Sequence, residues 1–288
     1  MGNNVAPGGV ETHMALSSAH PTSAPVANAH TERERAVAAP QGLLALVGTQ
    51  WVDSEQTIYD VPGVWAPAPA GESGLLVRAE ASASIVIDGT VLDGEATVHG
   101  QDADAPSQLV FREGVTGTVI RSEQGTYGLR VWDAASEGVS AFGSIERYPE
   151  NSAWVIEGRF TAALEESTAG FENFFDNGAT RTDIVAGTLT VTIGGTELNL
   201  VAYSSRGIVH LVFTDATSGV DTYGVGRFLF GPLGEDGRTT LDFNRAVLPP
   251  CAFSYHFNCP IAPPANRLSV AVTAGEKNVL RADGTLLH

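Results

Sequence analysis

From about residue 75 to residue 243 the chain alternates apolar and polar positions with a period of two, broken by Gly and Asp, and β-branched and aromatic residues fill the apolar positions. That is the pattern of half-buried strands. It predicts strands over 75–79, 84–88, 95–99, 108–112, 116–122, 126–133, 153–161, 188–193, 196–203, 207–214 and 223–230. The clearest hairpin is LTVTIGGTELNLVAY, where Gly194 and Gly195 can supply the two positive φ values of a type I′ turn. Turn signals recur about every 8–12 residues, as in an antiparallel barrel or sandwich. A parallel sheet needs crossover helices, and the pattern contains none.

Before residue 75 the pattern differs. Residues 1–25 are rich in Gly, Ala, Ser, Pro and Asn without an apolar period, and read as a disordered tail. Residues 26–39 are good helix formers with Glu32, Arg33, Glu34 and Arg35 on a solvated face, and Pro40 and Gly42 supply the stop. The apolar run over 42–51 suits a buried helical turn or a short strand, and periodicity leaves both open. The segment 164–183 carries Phe171, Phe174 and Phe175 and is too long for a plain hairpin connection, so it is a lid or an excursion anchored by its phenylalanines.

Residues 241–268 break the alternation. Pro249, Pro250, Pro260, Pro263 and Pro264 exclude helix interior and central strand, because proline lacks the backbone N–H and fixes φ. Phe243, Phe253, Tyr255, Phe257, Ile261 and Leu268 argue for order, so the stretch reads as a strap packed on the body. The expected fold is all-β: an antiparallel β-barrel or strongly curved β-sandwich of roughly ten to twelve strands, with a short N-terminal helix and a Pro-rich C-terminal strap. Residues 26–288 are read as a single domain, ending in a C-terminal strand and tail at 269–288.

Within the strap, DFNRA is followed by PPCAF, a second Cys-Pro, PP, NRL and then AGEK. With GLLALVGTQW, GLRVWD and TDATSGVDTYGVGRFLF upstream, these blocks resemble a bacterial and archaeal family known as domain of unknown function 1684, over about residues 33–277. The resemblance implies no reaction.

Composition narrows the classes of partner. The chain has 288 residues, a hydrophobic fraction of 43%, a formal net charge of −17 and a sequence pI near 4.6, so it can bury a core but opposes phosphate backbones and anionic lipid surfaces. Nucleic acid and membrane are therefore not expected as partners, and oligomeric state is left open. The first thirty residues have neither a basic start nor an apolar run, and with no apolar span long enough for a bilayer the expectation is a cytoplasmic protein. Lys277 is the one lysine among 16 basic residues, which reflects arginine preference rather than function.

Charged residues inside apolar strand patterns carry the candidate chemistry. Arg227 sits between Tyr223, Val225 and Leu229 on one predicted strand face, and a buried guanidinium needs a carboxylate or a ligand. Asp215 and Asp242 are its natural partners; if neither pairs with it, it binds an anion. The same alternatives hold for Arg130 with Asp133 and for Arg245. The predicted ligand site is thus a mouth of the barrel lined by Arg130, Tyr223, Arg227, Asn244 and Arg245, with Asp133, Asp215 and Asp242 orienting the arginines, and a small anionic molecule as ligand. A hydrolase or cofactor-free isomerase in the same pocket, and a structural or interaction domain without ligand, are the alternatives.

No cofactor and no metal are expected. Cys251, His256 and Cys259 lack the tight Cys-x-x-Cys spacing of structural zinc and read as packing side chains, with a disulfide only in oxidising surroundings. His210, between Val209 and Leu211, is the histidine expected to face a core or cavity, and Gly224 and Gly226 are read as room for the strap. No nucleophile motif is present, and no catalytic residue is assigned.

Overall fold

The computed structural model describes residues 26–122, 124–163 and 184–288, so the expected tail at 1–25 and the lid or excursion at 164–183 lie outside the described residues. These are mostly β, with one short N-terminal helix, α1 (Val26–Val37). Where the pattern suggests one domain, the chain clusters into two compact units, one holding residues 36–140 and the other residues 26–35 and 141–288 apart from the stretches not described. No helix among the described residues is long and apolar enough to cross a membrane.

The first unit contains β1 (Leu46–Val52), β2 (Gln56–Thr57), β3 (Val64–Pro67), β4 (Leu75–Ala79), β5 (Val86–Ile87), β6 (Thr90–Val91), β7 (Gly94–Val98), β8 (Leu109–Arg112), β9 (Val115–Arg121) and β10 (Tyr127–Asp133). They form a six-stranded sheet, β1-β10-β9-β8-β5-β6, and a four-stranded sheet, β2-β3-β4-β7. Inward positions of both sheets share one core, in which Trp65 meets Phe111 edge-on at 6.1 Å. The ambiguous run over 42–51 becomes a 3-10 turn, Leu43–Ala45, leading straight into β1. A Cβ on Gly42 would fall 2.3 Å from the Ala36 carbonyl, so only glycine lets the chain leave the helix end there.

A short helix, α2 (Glu137–Ala141), closes the first unit, and the second contains β11 (Phe142–Arg147), β12 (Val155–Ala162), β13 (Ile184–Ile193), β14 (Thr196–Ser205), β15 (Ile208–Phe213), β16 (Arg227–Pro232), β17 (Arg238–Asp242) and β18 (Glu276–Arg281). Six of these run antiparallel in the order β16-β15-β14-β13-β12-β17. A Leu233–Thr239 bridge joins the two ends of that order, so the sheet curls into a nearly closed barrel. The β13–β14 hairpin turns through Gly194 at φ 59° and Gly195 at φ 81°, the positive pair that a type I′ turn requires. β11 and β18 form a separate ribbon.

Alternation along β15 divides two apolar clusters. Val209, Leu211 and Phe213 fill the barrel with Leu189, Leu200, Leu229 and Leu241, whereas Val212 and Ile208 face outward against Phe228, Phe230, Val247 and Ala262. His210 lies on that outer side, half-buried and edge-on to Phe230 at 5.0 Å, so the histidine expected to face a core or cavity meets the small core cluster beneath the strap.

Beyond the last two residues of β17, the strap is ordered without strand or α-helix, as its prolines require; it runs through the 3-10 turns Phe243–Arg245, Pro250–Ala252 and Pro264–Asn266. Phe243, Leu248, Phe253, Phe257 and Leu268 are buried along it. Tyr255 and Ile261 are not, each being 71% exposed, because they stand at loop tips between the buried anchors. Asn266 clamps the strap to the barrel: its Nδ2 donates to the Val201 and Val212 carbonyls at 2.8 and 2.7 Å, and its Oδ1 accepts from the Val201 N–H at 2.8 Å.

Two sequence expectations fail between β15 and β16. The strand expected from residue 223 begins at Arg227, because residues 223–226 belong to the returning loop. Gly226 makes room for β15 rather than for the strap: its φ is 107°, and a Cβ would sit 2.3 Å from the Phe213 carbonyl.

Tyr203 on β14 is buried, and burial pushes its phenol from about 10 up to about 12. A folded-state value above the unfolded one means stability is complete below about pH 10 and falls as the pH rises toward 12, since the unfolded chain loses the proton first. Urea midpoints at about pH 9 and about pH 11 should therefore diverge in the wild type and diverge less in Tyr203→Phe. Equal divergence in the two proteins would contradict this.

Candidate functional site

Arg227 and Asp215 are brought together, with both side chains fully buried and Nη2 2.7 Å from Oδ2. Asp215 follows β15 and also organises its own turn, its Oδ1 accepting from the Thr217 N–H at 2.9 Å and the Thr217 hydroxyl at 2.7 Å. A third donor, the Val272 N–H, reaches Oδ1 at 3.1 Å. Arg227 in turn donates to the carbonyls of Ala274, Glu276 at 3.3 Å and Val272 at 2.9 Å, and its guanidinium lies over the Phe213 ring at 5.2 Å. This knot ties the segment after the strap to the β15–β16 connection. Of the two sequence readings for Arg227, the geometry is that of the internal salt bridge, since carboxylate and carbonyls occupy both terminal nitrogens.

Asp242, Asn244 and Arg245 form a second group at the start of the strap. The Asp242 carboxylate caps the 3-10 turn, with Oδ1 accepting from Asn244 N at 3.1 Å and Nδ2 at 2.8 Å, and Oδ2 lying 3.2 Å from Arg245 Nε. Asn244 also takes the Asn151 N–H on its Oδ1 at 2.9 Å and donates to the Asn151 carbonyl at 3.1 Å. Asp242 therefore serves Arg245 and not Arg227.

Asn244 and Arg245 open onto a small recess of about 30 Å³, whose lining includes His30, Arg33, Arg147 and Glu276. The sequence reading misses these four. It places Arg33 on a solvated helix face, whereas Arg33 is 2% exposed, with Nε 2.6 Å from Glu276 Oε1 and Nη2 donating to the Leu248 carbonyl at 3.0 Å. Glu34 is likewise partly engaged, accepting from the Ile145 N–H at 2.9 Å and lying 3.4 Å from His30. The charge-dense helix sequence hides this because alternating Glu and Arg look solvated unless the partner, Glu276 in the AGEK block some 243 positions away, is known.

The lining of the recess is rich in arginine. Three guanidiniums and an imidazole meet one carboxylate, Glu276, whose second oxygen is held by the Leu248 N–H at 2.7 Å. Arg147 faces Glu150 at 3.6 Å, longer than a hydrogen bond, and Glu150 is more than half exposed. Such a pair is screened and weak.

The remaining predicted residues lie elsewhere. Tyr223 donates its hydroxyl to the Cys251 carbonyl at 3.0 Å, and burial drives its phenol far up. Arg130 and Asp133 belong to the first unit: Arg130 is buried in β10 in register with Thr49 and Thr118, and Asp133 caps the turn after it, accepting from Ala135 N at 2.8 Å. Among the described residues no three His, Cys, Asp or Glu side chains are grouped to hold a metal ion.

Residues 140–277, from the end of α2 through the barrel and strap into β18, match the model of the family described as Protein of unknown function (DUF1684). The match begins after GLLALVGTQW and GLRVWD, so those blocks of the sequence resemblance fall outside it. Among solved structures, the solution NMR structure of an uncharacterized protein of Haloarcula marismortui is similar at 27% identity, covering 47% of this chain and 77% of that one with a TM-score of 0.38. No curated protein matches the chain.

Proposed function

We propose that the second unit binds a small anion, a phosphate or carboxylate group, in the recess between α1 and the start of the strap, with Arg147 and Arg245 as its principal contacts and Asn244 and His30 beside them. The observation that carries this reading is the convergence of Arg33, Arg147, Arg245 and His30 on one recess in a chain whose net charge is −17. Guanidinium is the group suited to bidentate recognition of planar or tetrahedral oxyanions. Arg33 is already committed to Glu276 and forms the wall of the recess rather than a contact to the anion. Arg227 and Asp215 take no part in contact and act as scaffold.

A structural reading is favoured by a different observation: each of the three guanidiniums and the imidazole has a carboxylate of the same unit within 4 Å, namely Glu276, Glu150, Asp242 and Glu34. Thermal melts of the full-length protein with inorganic phosphate, with acetate, and with chloride at matched ionic strength separate the two. An anion at about a hundred times its Kd should add about 2.7 kcal/mol of stability, and Arg147→Ala and Arg245→Ala should each abolish the added shift. A response to neither anion beyond the chloride control, or one that survives both substitutions, would establish the structural reading instead.

A further inference from the structure

The strap carries a second arrangement, independent of the recess, in its two cysteines. Seven residues separate Cys251 from Cys259, yet the strap folds them against each other, so that the Cys251 N–H points at the Cys259 sulfur at 3.2 Å. The Tyr223 hydroxyl donates to the Cys251 carbonyl at 3.0 Å and so pins the same cysteine from the other side. Both cysteines are half-buried thiols rather than core side chains, which leaves them within reach of a small oxidant. The strap fixes this approach through buried neighbours on either side, Ala252 and Phe253 after the first cysteine and Ala262 after the second, with Pro250 and Pro260 limiting the backbone.

We infer that Cys251 and Cys259 are a reversible oxidation site, in which a hydroperoxide oxidises Cys251 and Cys259 resolves the product to an intrachain disulfide. In the first step the Cys251 sulfur attacks the terminal peroxide oxygen. The O–O bond breaks, the thiol proton leaves with the departing alcohol or water, and Cys251 becomes a sulfenic acid. In the second the Cys259 sulfur attacks the sulfenic sulfur. The S–S bond forms, the S–O bond breaks, and hydroxide leaves with the Cys259 proton as water. The dithiol gives up two electrons and the peroxide takes them.

The contact of the Cys251 N–H with the Cys259 sulfur places the pair together, and the lowered Cys251 thiol is the candidate for the first step. The thiolate is the nucleophile, and hydrogen bonds to it favour the charged form. The Cys259 thiol, the Tyr223 hydroxyl and the backbone amide of Cys251 together hold the Cys251 thiol below its ordinary value, with the Cys259 contribution the largest and burial opposing it. Tyr223 keeps its proton because burial drives its phenol far up, so it remains a donor to the Cys251 carbonyl. The sequence reading of these cysteines as inert packing omits this: seven intervening residues say nothing of the Cys251 N–H meeting the Cys259 sulfur, and Tyr223 lies 28 positions away.

The test uses the full-length protein and hydrogen peroxide, read by intact mass and peptide mapping. The expected result is loss of two hydrogens, loss of both iodoacetamide-reactive sites, a peptide linking Cys251 to Cys259 within one chain, and full reversal by dithiothreitol. In Cys259→Ser, Cys251 should instead be captured by dimedone as the sulfenic acid, and Cys251→Ser should leave Cys259 alkylatable at the same exposure. Should either variant not fold, an early dimedone quench of the wild type places the first oxidation without substitution. Two thiols still alkylatable after peroxide, sulfonic acid without a disulfide, or a link between chains would overturn the inference. First capture at Cys259 would overturn the assigned order.

Discussion

Replacing Arg227 by alanine is expected to destabilise the second unit by about 3–5 kcal/mol, because it leaves the Asp215 carboxylate buried without its counter-charge. The loss has a second source. The carbonyls of Val272 and Ala274 lose a charged donor in a place closed to solvent, and each such orphan adds about 1–3 kcal/mol where relaxation cannot reach it. For a unit of this size the shift in Tm is about 2–4 °C per kcal/mol, large enough to read directly. Pairing the change with Asp215→Leu should recover much of the loss, since removing both charges avoids the uncompensated ion. Recovery will be partial, because Thr217 and Val272 N–H also depend on that carboxylate. Denaturant midpoints of the two single variants and the double variant form the cycle that measures this. A loss below about 1 kcal/mol for Arg227→Ala would mean that the pair is solvated in solution.

This outcome explains which parts of the molecule were legible in its sequence. Alternation and the Gly194–Gly195 turn mark β13 and β14 because a half-buried strand repeats every two residues, and the observed register pairs Ile193 with Thr196 across that turn. The prolines exclude regular structure in the strap for reasons local to each residue. Local signals fail where the deciding partner is distant. β2 and β6 are two residues long and too short to show a period, and β11, with Gly143 against the Arg281 backbone, is paired by β18 rather than by its own composition. Burial of Arg227 was legible because its neighbours are apolar. Burial of Arg33 was not, since Glu32, Glu34 and Arg35 surround it and its pocket is made by Leu248, Phe253 and Glu276. The candidate recess escaped the sequence reading for the same reason: only Asn244 and Arg245 carried a signal of their own.

Arg33→Ala should cost a further instance of about 3–5 kcal/mol, and its contrast with Arg245→Ala separates scaffold from recess. Arg33 and Glu276 are 2% and 6% exposed at their side chains, so removing the guanidinium strands a carboxylate that the Leu248 N–H alone cannot satisfy. The Leu248 carbonyl and the face of Phe253, with Arg33 over its ring at 5.4 Å, lose their contacts too. Because Arg33 projects from α1, the same change releases the helix from the strap, and amide exchange in α1 should accelerate along with the fall in the denaturant midpoint. Arg245 also meets a carboxylate, but it does so at 3.2 Å with both partners partly exposed, where an ion pair contributes about 0–1 kcal/mol. Arg245→Ala is therefore expected to hold its midpoint within about 1 kcal/mol of the wild type while losing the anion-dependent shift. If Arg33→Ala melts with the wild type and α1 amides keep their protection, the helix is held by its apolar contacts and not by this pair. If Arg245→Ala falls as far as Arg33→Ala, Arg245 belongs to the scaffold and the recess has no group to spare for an anion.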